Sequence, residues 1–181
     1  MNELIFRMSL NLLQSDIFSV RKIVESAGRF TSQKVENAVG NAEDNNNPNT
    51  CERFKWYSLI AILPRGVNVP IGYIDFFKDP ASEFFYELNF LSIENHYQGK
   101  GFGSSLLEEV EKLILAFGGS KVKISTHGKF KSIIVFYEKH GYKIYSNDPD
   151  HYTFGDSEVL MKKTLTLNPI VLTILIVNLE T

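Results

Sequence analysis

The chain has 181 residues, 44% apolar and 22% charged, with 14 Phe and 8 Tyr; this predicts one domain with an aromatic-rich core and excludes collagen-like or wholly disordered chains. The only cysteine, Cys51, allows no internal disulfide, and no CxxC or His/Cys spacing suggests a metal, so a reducing compartment and no metal centre are expected. Net charge is −2, too small for wholesale nucleic-acid or membrane binding, yet residues 100–143 hold eight basic and four acidic side chains, a local excess of +4.

The first 16 residues (MNELIFRMSLNLLQSD) lack a basic segment followed by an apolar run and a small-residue cleavage site, so no signal peptide is expected. Residues 4–9 (LIFRMS) read as a first strand. Ser15 or Asp16 can cap a helix toward Ser26, with Ile17, Val20, Ile23 and Val24 on one side and Gly28 as its stop. Thr31 caps a second helix, ending near Val39, and residues 40–50 (GNAEDNNNPNT) read as a flexible loop. Strands follow at 55–63, 69–77 and 83–93, separated by turns at 64–66 and 78–80. After Gly103 the period changes from 2 to 3.6. Leu106, Leu107, Val110, Leu113, Ile114 and Phe117 form one stripe, ended by Gly118-Gly119. A strand at 121–126, a helix at 133–140 and strands at 142–145 and 158–164 complete the pattern. The order predicts a mixed α/β class around one sheet.

The chemical signal lies in residues 91–105 (LSIENHYQGKGFGSS), where a strand meets a glycine-rich turn that opens onto an amphipathic helix. Three glycines in five positions let successive N–H groups turn inward, and the helix N-terminus adds unpaired donors and partial positive charge. Ser104 and Ser105 can cap or donate. This is a pyrophosphate cradle at the start of the basic window. It lacks the GK[ST] of a P-loop, and Ser104 replaces the last glycine of a dinucleotide fingerprint.

Gln98-x-x-Gly101-x-Gly103 resembles the acyl-CoA-binding motif (Q/R)xxGx(G/A) of the GNAT superfamily of N-acyltransferases. Residues 136–142 (FYEKHGY) resemble its second landmark, (L/F)YEKxG(F/Y), in the correct order and at a fitting spacing. Residues 28–31 (GRFT) and 150–156 (DHYTFGD) resemble segments of a bacterial subgroup of uncertain substrate. One departure is Phe130, where an Asn often precedes the motif's Tyr by seven positions. The resemblance covers roughly residues 4–165 and implies a mixed, mostly antiparallel central sheet flanked by about four helices. It also implies acetyl-CoA as co-substrate and transfer to a primary amine through a ternary complex.

Acyl transfer from a thioester to an amine needs a held cofactor, a deprotonated amine, a stabilised oxyanion and a protonated leaving thiolate. The resemblance assigns the pyrophosphate to the backbone amides of Gly99, Lys100, Gly101, Phe102, Gly103 and Ser104, beside Gln98. It assigns pantetheine to the backbones of Leu91 and Ile93, and oxyanion donation to the Leu91 amide. Tyr137 is the implied general acid, and its titration is expected to set the basic limb of the pH profile. Simple alternation puts Glu87, Asn89, Leu91 and Ile93 on one strand face, so Glu87 is the candidate base, directly or through water. His96 and His140 read as solvent or packing histidines.

Two units are expected: a catalytic domain over 1–165 and an apolar tail over 166–181. Residues 170–179 are too short for the ~20-residue membrane span and are rich in β-branched types, which favours an added strand, a candidate homodimer contact. The rival reading is a CoA-binding or regulatory module of the same fold without turnover. Acceptor pockets in this fold family are lined by the first helices and the loop before the last strand. The acidic residues of 148–156 there suggest a cationic acceptor, small molecule or peptide. A cytoplasmic protein with no nucleic-acid or membrane partner is expected.

Overall fold

The computed structural model describes residues 4–8, 14–44, 56–65 and 67–166. Seven strands, β1 (Ile5–Met8), β2 (Trp56–Arg65), β3 (Val67–Lys78), β4 (Phe85–Ile93), β5 (Lys121–His127), β6 (Lys143–Thr153) and β7 (Asp156–Thr164), form one sheet in the order β1-β2-β3-β4-β5-β7-β6. Its helices are α1 (Gln14–Ser26), α2 (Ser32–Asp44), α3 (Phe102–Ala116) and α4 (Lys131–Lys139). Every neighbouring pair is antiparallel except β4 and β5. This is the mixed sheet with four helices expected from the chain. The expected C-terminal strand over 168–181 lies outside the described residues, as does Cys51.

Each face of the sheet is covered by a helix pair whose apolar stripe follows the 3.6-residue period. Leu106, Leu107, Val110 and Ile114 of α3 are buried with Leu59, Ile74, Phe76 and Leu88 of the strands and Ile134 and Tyr137 of α4. On the opposite face Val20, Ile23 and Val24 of α1 and Val35, Ala38 and Ala42 of α2 pack on Ile60, Ile62, Tyr73 and Phe90. Burial of each large side chain contributes roughly 1.5–3 kcal/mol. Arg7 on β1 donates to both carboxylate oxygens of buried Asp16 at 2.8 and 2.7 Å, tying the edge strand to α1. Among the described residues no helix is long and apolar enough to cross a membrane.

Three boundaries differ in particular from the sequence expectation. Helix α2 runs through Gly40 to Asp44, because Val35, Ala38, Val39 and Ala42 continue one buried stripe that outweighs the glycine. Strand β6 extends to Thr153 through Asn147-Asp148-Pro149-Asp150, which reads locally as a turn. It is the outer strand of the sheet, where a proline missing an N–H costs little. Pro64 and Arg65 likewise belong to β2, Arg65 pairing with Val67.

The β3–β4 ladder holds a bulge. Asp75 pairs with Phe90 and Phe76 with Leu88, leaving Asn89 without a partner. Fully buried Asp75 substitutes for the displaced backbone acceptors: the Phe90 N–H donates to its Oδ1 at 2.7 Å, and Asn41 Nδ2 and Tyr73 OH donate to Oδ2 at 2.7 and 3.2 Å. Burial pushes the Asp75 carboxyl up to about 7, against the pull of these donors. A raised folded-state value means the unfolded chain gives up this proton first, starting near the ordinary 3.8. Stability from this group is therefore present below that value and is lost as pH rises through about 7. We expect the melting temperature to fall between pH 5 and 7 and to level off above that, by a free energy on the order of 2 kcal/mol. In Asp75→Asn that slope should flatten. A pH-independent wild-type melting curve in that window would contradict the assignment.

Candidate functional site

Strands β4 and β5 pair only over Phe85–Leu88 and Lys121–Ile124. Beyond these four pairs both strands continue without bonding each other, and the sheet opens. A cavity of about 880 Å³ fills the opening and reaches both faces. Of the residues assigned from the sequence, Glu87, Leu91, Ile93, Gln98, Gly99, Gly101, Gly103, Ser104 and Tyr137 line it, whereas Lys100 and Phe102 do not.

At one end lies the glycine turn. Gly101 precedes α3 with φ +86°, a left-handed conformation that an L side chain adopts at a cost of roughly 1–2 kcal/mol. The first helical bond is Ser105 N–H to Gly101 O at 3.1 Å, so the N–H groups of Phe102, Gly103 and Ser104 have no intrahelical acceptor. Neither serine caps the helix through its side chain to a backbone N–H; Ser105 Oγ instead lies 3.4 Å from Gly101 O. A Cβ added at Gly99 or Gly101 would meet no atom within 4 Å. The backbone is thus bare on the side where its donors converge, and that geometry fits a diphosphate. Gly103 differs: a Cβ there would make ordinary contact with Ile93 at 3.6 Å, so the packing of α3 on β4 leaves room for one. Lys100 turns back from the cradle, its Nζ donating to His96 O at 2.8 Å.

The bulge at Asn89 corrects the expected face of β4. Leu88, Leu91 and Ile93 pack toward α3 and α4, while Phe90 packs toward α1 and α2. Glu87 therefore does not share a face with Leu91 and Ile93. The unpaired residue reverses the alternation between them. Phe90 and Glu94 direct their N–H groups to β3, onto Asp75 Oδ1 and Ile71 O. By alternation the N–H groups of Leu91 and Ile93 point into the gap. Their carbonyls are partly taken: Arg29 Nη2 donates to Leu91 O at 3.1 Å, and Gln98 Nε2 to Ile93 O at 2.8 Å. Gln98 thus braces the end of β4 as well as lining the cavity.

Tyr137, from α4, is buried in the cavity wall between the rings of Phe136 and Tyr142, each at 5.2 Å and edge-on. Among the described residues its hydroxyl has no hydrogen-bond partner. Burial pushes the phenol up to about 12, with the nearby Arg29 cation pulling the other way. Glu87 stands on the α1–α2 side, where Lys123 Nζ lies 3.1 Å from its carboxylate and 2.9 Å from Asp79.

Among the lining residues not assigned from the sequence are Arg29, Ser125, His127 and Tyr152. His127 Nδ1 meets Asp156 Oδ2 at 2.8 Å, and its ring stacks on Tyr152 at 3.7 Å. Lys129 Nζ, also 2.8 Å from Asp156 Oδ2, holds that carboxyl below its usual range together with His127. An ionised carboxylate only accepts, so the proton of that bond is carried by Nδ1. Arg29 and Tyr152 fall inside the GRFT and DHYTFGD segments, but nothing in their spacing indicates that they line one cavity. His96 is exposed against Glu94 and His140 bonds Phe136 O at 2.7 Å, as expected of solvent and packing histidines.

Residues 57–144 match the family model of the acetyltransferase (GNAT) domain. A solved GNAT-family protein from Desulfovibrio desulfuricans superposes with a TM-score of 0.80 at 25% identity, covering 91% of this chain and 100% of its own. An aminoglycoside 6'-N-acetyltransferase complexed with coenzyme A gives 0.69 at 18% identity, covering 91% and 99%. The paiA N-acetyltransferase from Thermoplasma acidophilum, in complex with coenzyme A, gives 0.66 at 18% identity, covering 90% and 99%. No curated protein matches the chain in sequence. The opened sheet, the bare glycine turn and these similarities lead to one conclusion: residues 57–144 are an acetyltransferase (GNAT) domain, in a chain that takes the fold of solved GNAT-family proteins.

Proposed function

We propose that the chain is an N-acetyltransferase that moves the acetyl group of acetyl-CoA to a primary amine by direct attack in a ternary complex. The observation that carries this reading is the continuity of one cavity from the cradle at Gly99–Ser104 to Leu91 and Tyr137. Bound acetyl-CoA supplies the activated acyl group. Unpaired donors of Phe102, Gly103 and Ser104 hold its diphosphate, and the N–H groups of Leu91 and Ile93 align the pantetheine arm. The Leu91 amide faces the developing oxyanion, and the Tyr137 hydroxyl gives its proton to the departing sulfur.

The amine arrives from the α1–α2 side as an ammonium ion and must lose a proton. Glu87 is the proposed acceptor, directly or through water, once it parts from Lys123. His127, oriented by Asp156, is the second group placed there to do it. Glu87→Gln is expected to lower kcat/KM by about 10²-fold, within the range for a positioned base. If only His127→Asn shows that loss, the base is the imidazole instead.

The whole reading is tested by isothermal titration with CoA alongside release of free thiol from acetyl-CoA over an amine panel. CoA binding without thiol release on any amine would favour the alternative, a CoA-binding module that has lost turnover. A cytoplasmic location and a small-molecule or peptide acceptor belong to the same proposal. A homodimer, tested by light-scattering mass, completes it.

A further inference from the structure

The acceptor end of the cavity is cationic, opposite to what the acidic residues of 148–156 suggest. Each of those acids already has a partner. Asp148 meets His151 at 3.0 Å, Asp150 accepts the Gly155 N–H across the β6–β7 hairpin, and Asp156 holds His127 and Lys129. Neighbouring Glu158 accepts from Ser125 Oγ at 2.6 Å. Among the described residues the one carboxylate that lines the cavity, Glu87, is matched by Lys123. Among the described lining residues, the charged groups left without an ion-pair partner are Arg29 and Lys34, and both are cations.

Arg29 is the informative one. It follows α1 and reaches across to β4, where Nη2 donates to Leu91 O at 3.1 Å. Its Nε is buried with no hydrogen-bond partner, and burial lowers the guanidinium from its ordinary value, so the charge is held at a desolvation cost. The field of this cation is felt at the Tyr137 phenol, so the guanidinium that bonds Leu91 O also lies near the second group that serves the thioester in the proposed reaction. A guanidinium offers five donors in a rigid fork matched to a carboxylate. Here one donor is used on Leu91, and a buried one is unmet.

We infer that the acceptor is an amine bearing a carboxylate close to the nitrogen, an amino-acid-like zwitterion, with Arg29 binding the carboxylate and Lys34 adding long-range attraction at the rim. The inference rests on the N-acetyltransferase reading and adds its substrate class. A polyamine or aminoglycoside would instead bring several positive charges against Arg29, with no unpaired carboxylate to receive them.

The test uses the full chain saturated with CoA, titrated calorimetrically with matched probes, and the same probes in the thiol-release assay. The probes are free amino acids and their methyl esters, phosphoethanolamine, spermidine and an aminoglycoside. Free acids should bind at least 10-fold more tightly than their esters. Arg29→Gln should abolish that ratio by weakening the acids and leaving the esters unchanged, with CoA affinity intact. A merely structural Arg29 would weaken acids and esters alike. Equal or better binding of spermidine, the aminoglycoside or the esters would overturn the inference, and a preference for phosphoethanolamine would replace the carboxylate with a phosphate. Failure of CoA itself to bind would overturn the underlying reading instead, so the two failures are distinguishable.

Discussion

Gly101→Glu is expected to abolish CoA binding, weakening it by more than 100-fold, while the chain still folds. At φ +86° the backbone tolerates a Cβ only with strain of roughly 1–2 kcal/mol, a loss most domains survive. The new side chain has nowhere to go but outward, because the space above Gly101 holds no atom within 4 Å. That places a carboxylate in front of the unpaired N–H groups of Phe102, Gly103 and Ser104. The carboxylate competes for the donors that would hold the diphosphate and repels it by like charge. Gly101→Ala separates the two effects, since it carries the strain without the charge. It should lower the melting temperature and leave CoA affinity nearly unchanged, because the strain is the same with and without CoA. Calorimetric CoA titration of both variants, with melting temperatures recorded alongside, decides the point. Undiminished affinity in folded Gly101→Glu would remove the phosphate cradle from this loop.

Tyr137→Phe is expected to lower kcat by ~10²-fold, the lower part of the range for a positioned acid, with CoA affinity nearly unchanged. The ring contacts with Phe136 and Tyr142 involve no hydroxyl, so phenylalanine keeps the packing and the melting temperature should hardly move. The structure changes one part of the sequence-based expectation. With the phenol pushed up to about 12, it stays protonated throughout the ordinary assay range, so it contributes no basic limb there. Wild type and variant should therefore give pH profiles of the same shape below about pH 10, differing in height. The raised value also means that any stability linked to this group is present below its ordinary 10 and lost as pH climbs toward 12. Turnover of Tyr137→Phe within twofold of wild type would make Tyr137 a packing residue and leave the thiolate to water.

These two residues were legible in the chain because their signals are local. Three glycines in five positions can be read without knowing the fold, and so can the change from a two-residue to a 3.6-residue period after them. The apolar stripe of α3 needs only i, i+3, i+4 spacing, and Leu106, Leu107, Val110 and Ile114 are buried as that spacing dictates.

What the sequence by itself determined is thus the class of element at nearly every segment, the glycine turn ahead of α3, and the position of Tyr137 on a helix packed against the sheet. What only the tertiary structure decided are contacts between distant residues. Arg29 meets Leu91 across 62 positions, and His127 meets Asp156 across 29. No periodicity links such pairs, because they depend on which strands neighbour each other and where β4 and β5 part. The acids of 148–156 show the same limit: their composition suggests a negative surface, but folding matches them with His127, Lys129, His151 and the Gly155 N–H. The bulge at Asn89 is the smallest such decision and the most consequential. One unpaired residue, stabilised by Asp75 from the neighbouring strand, reverses the alternation of β4, so that Glu87 and Leu91 face opposite sides of the sheet.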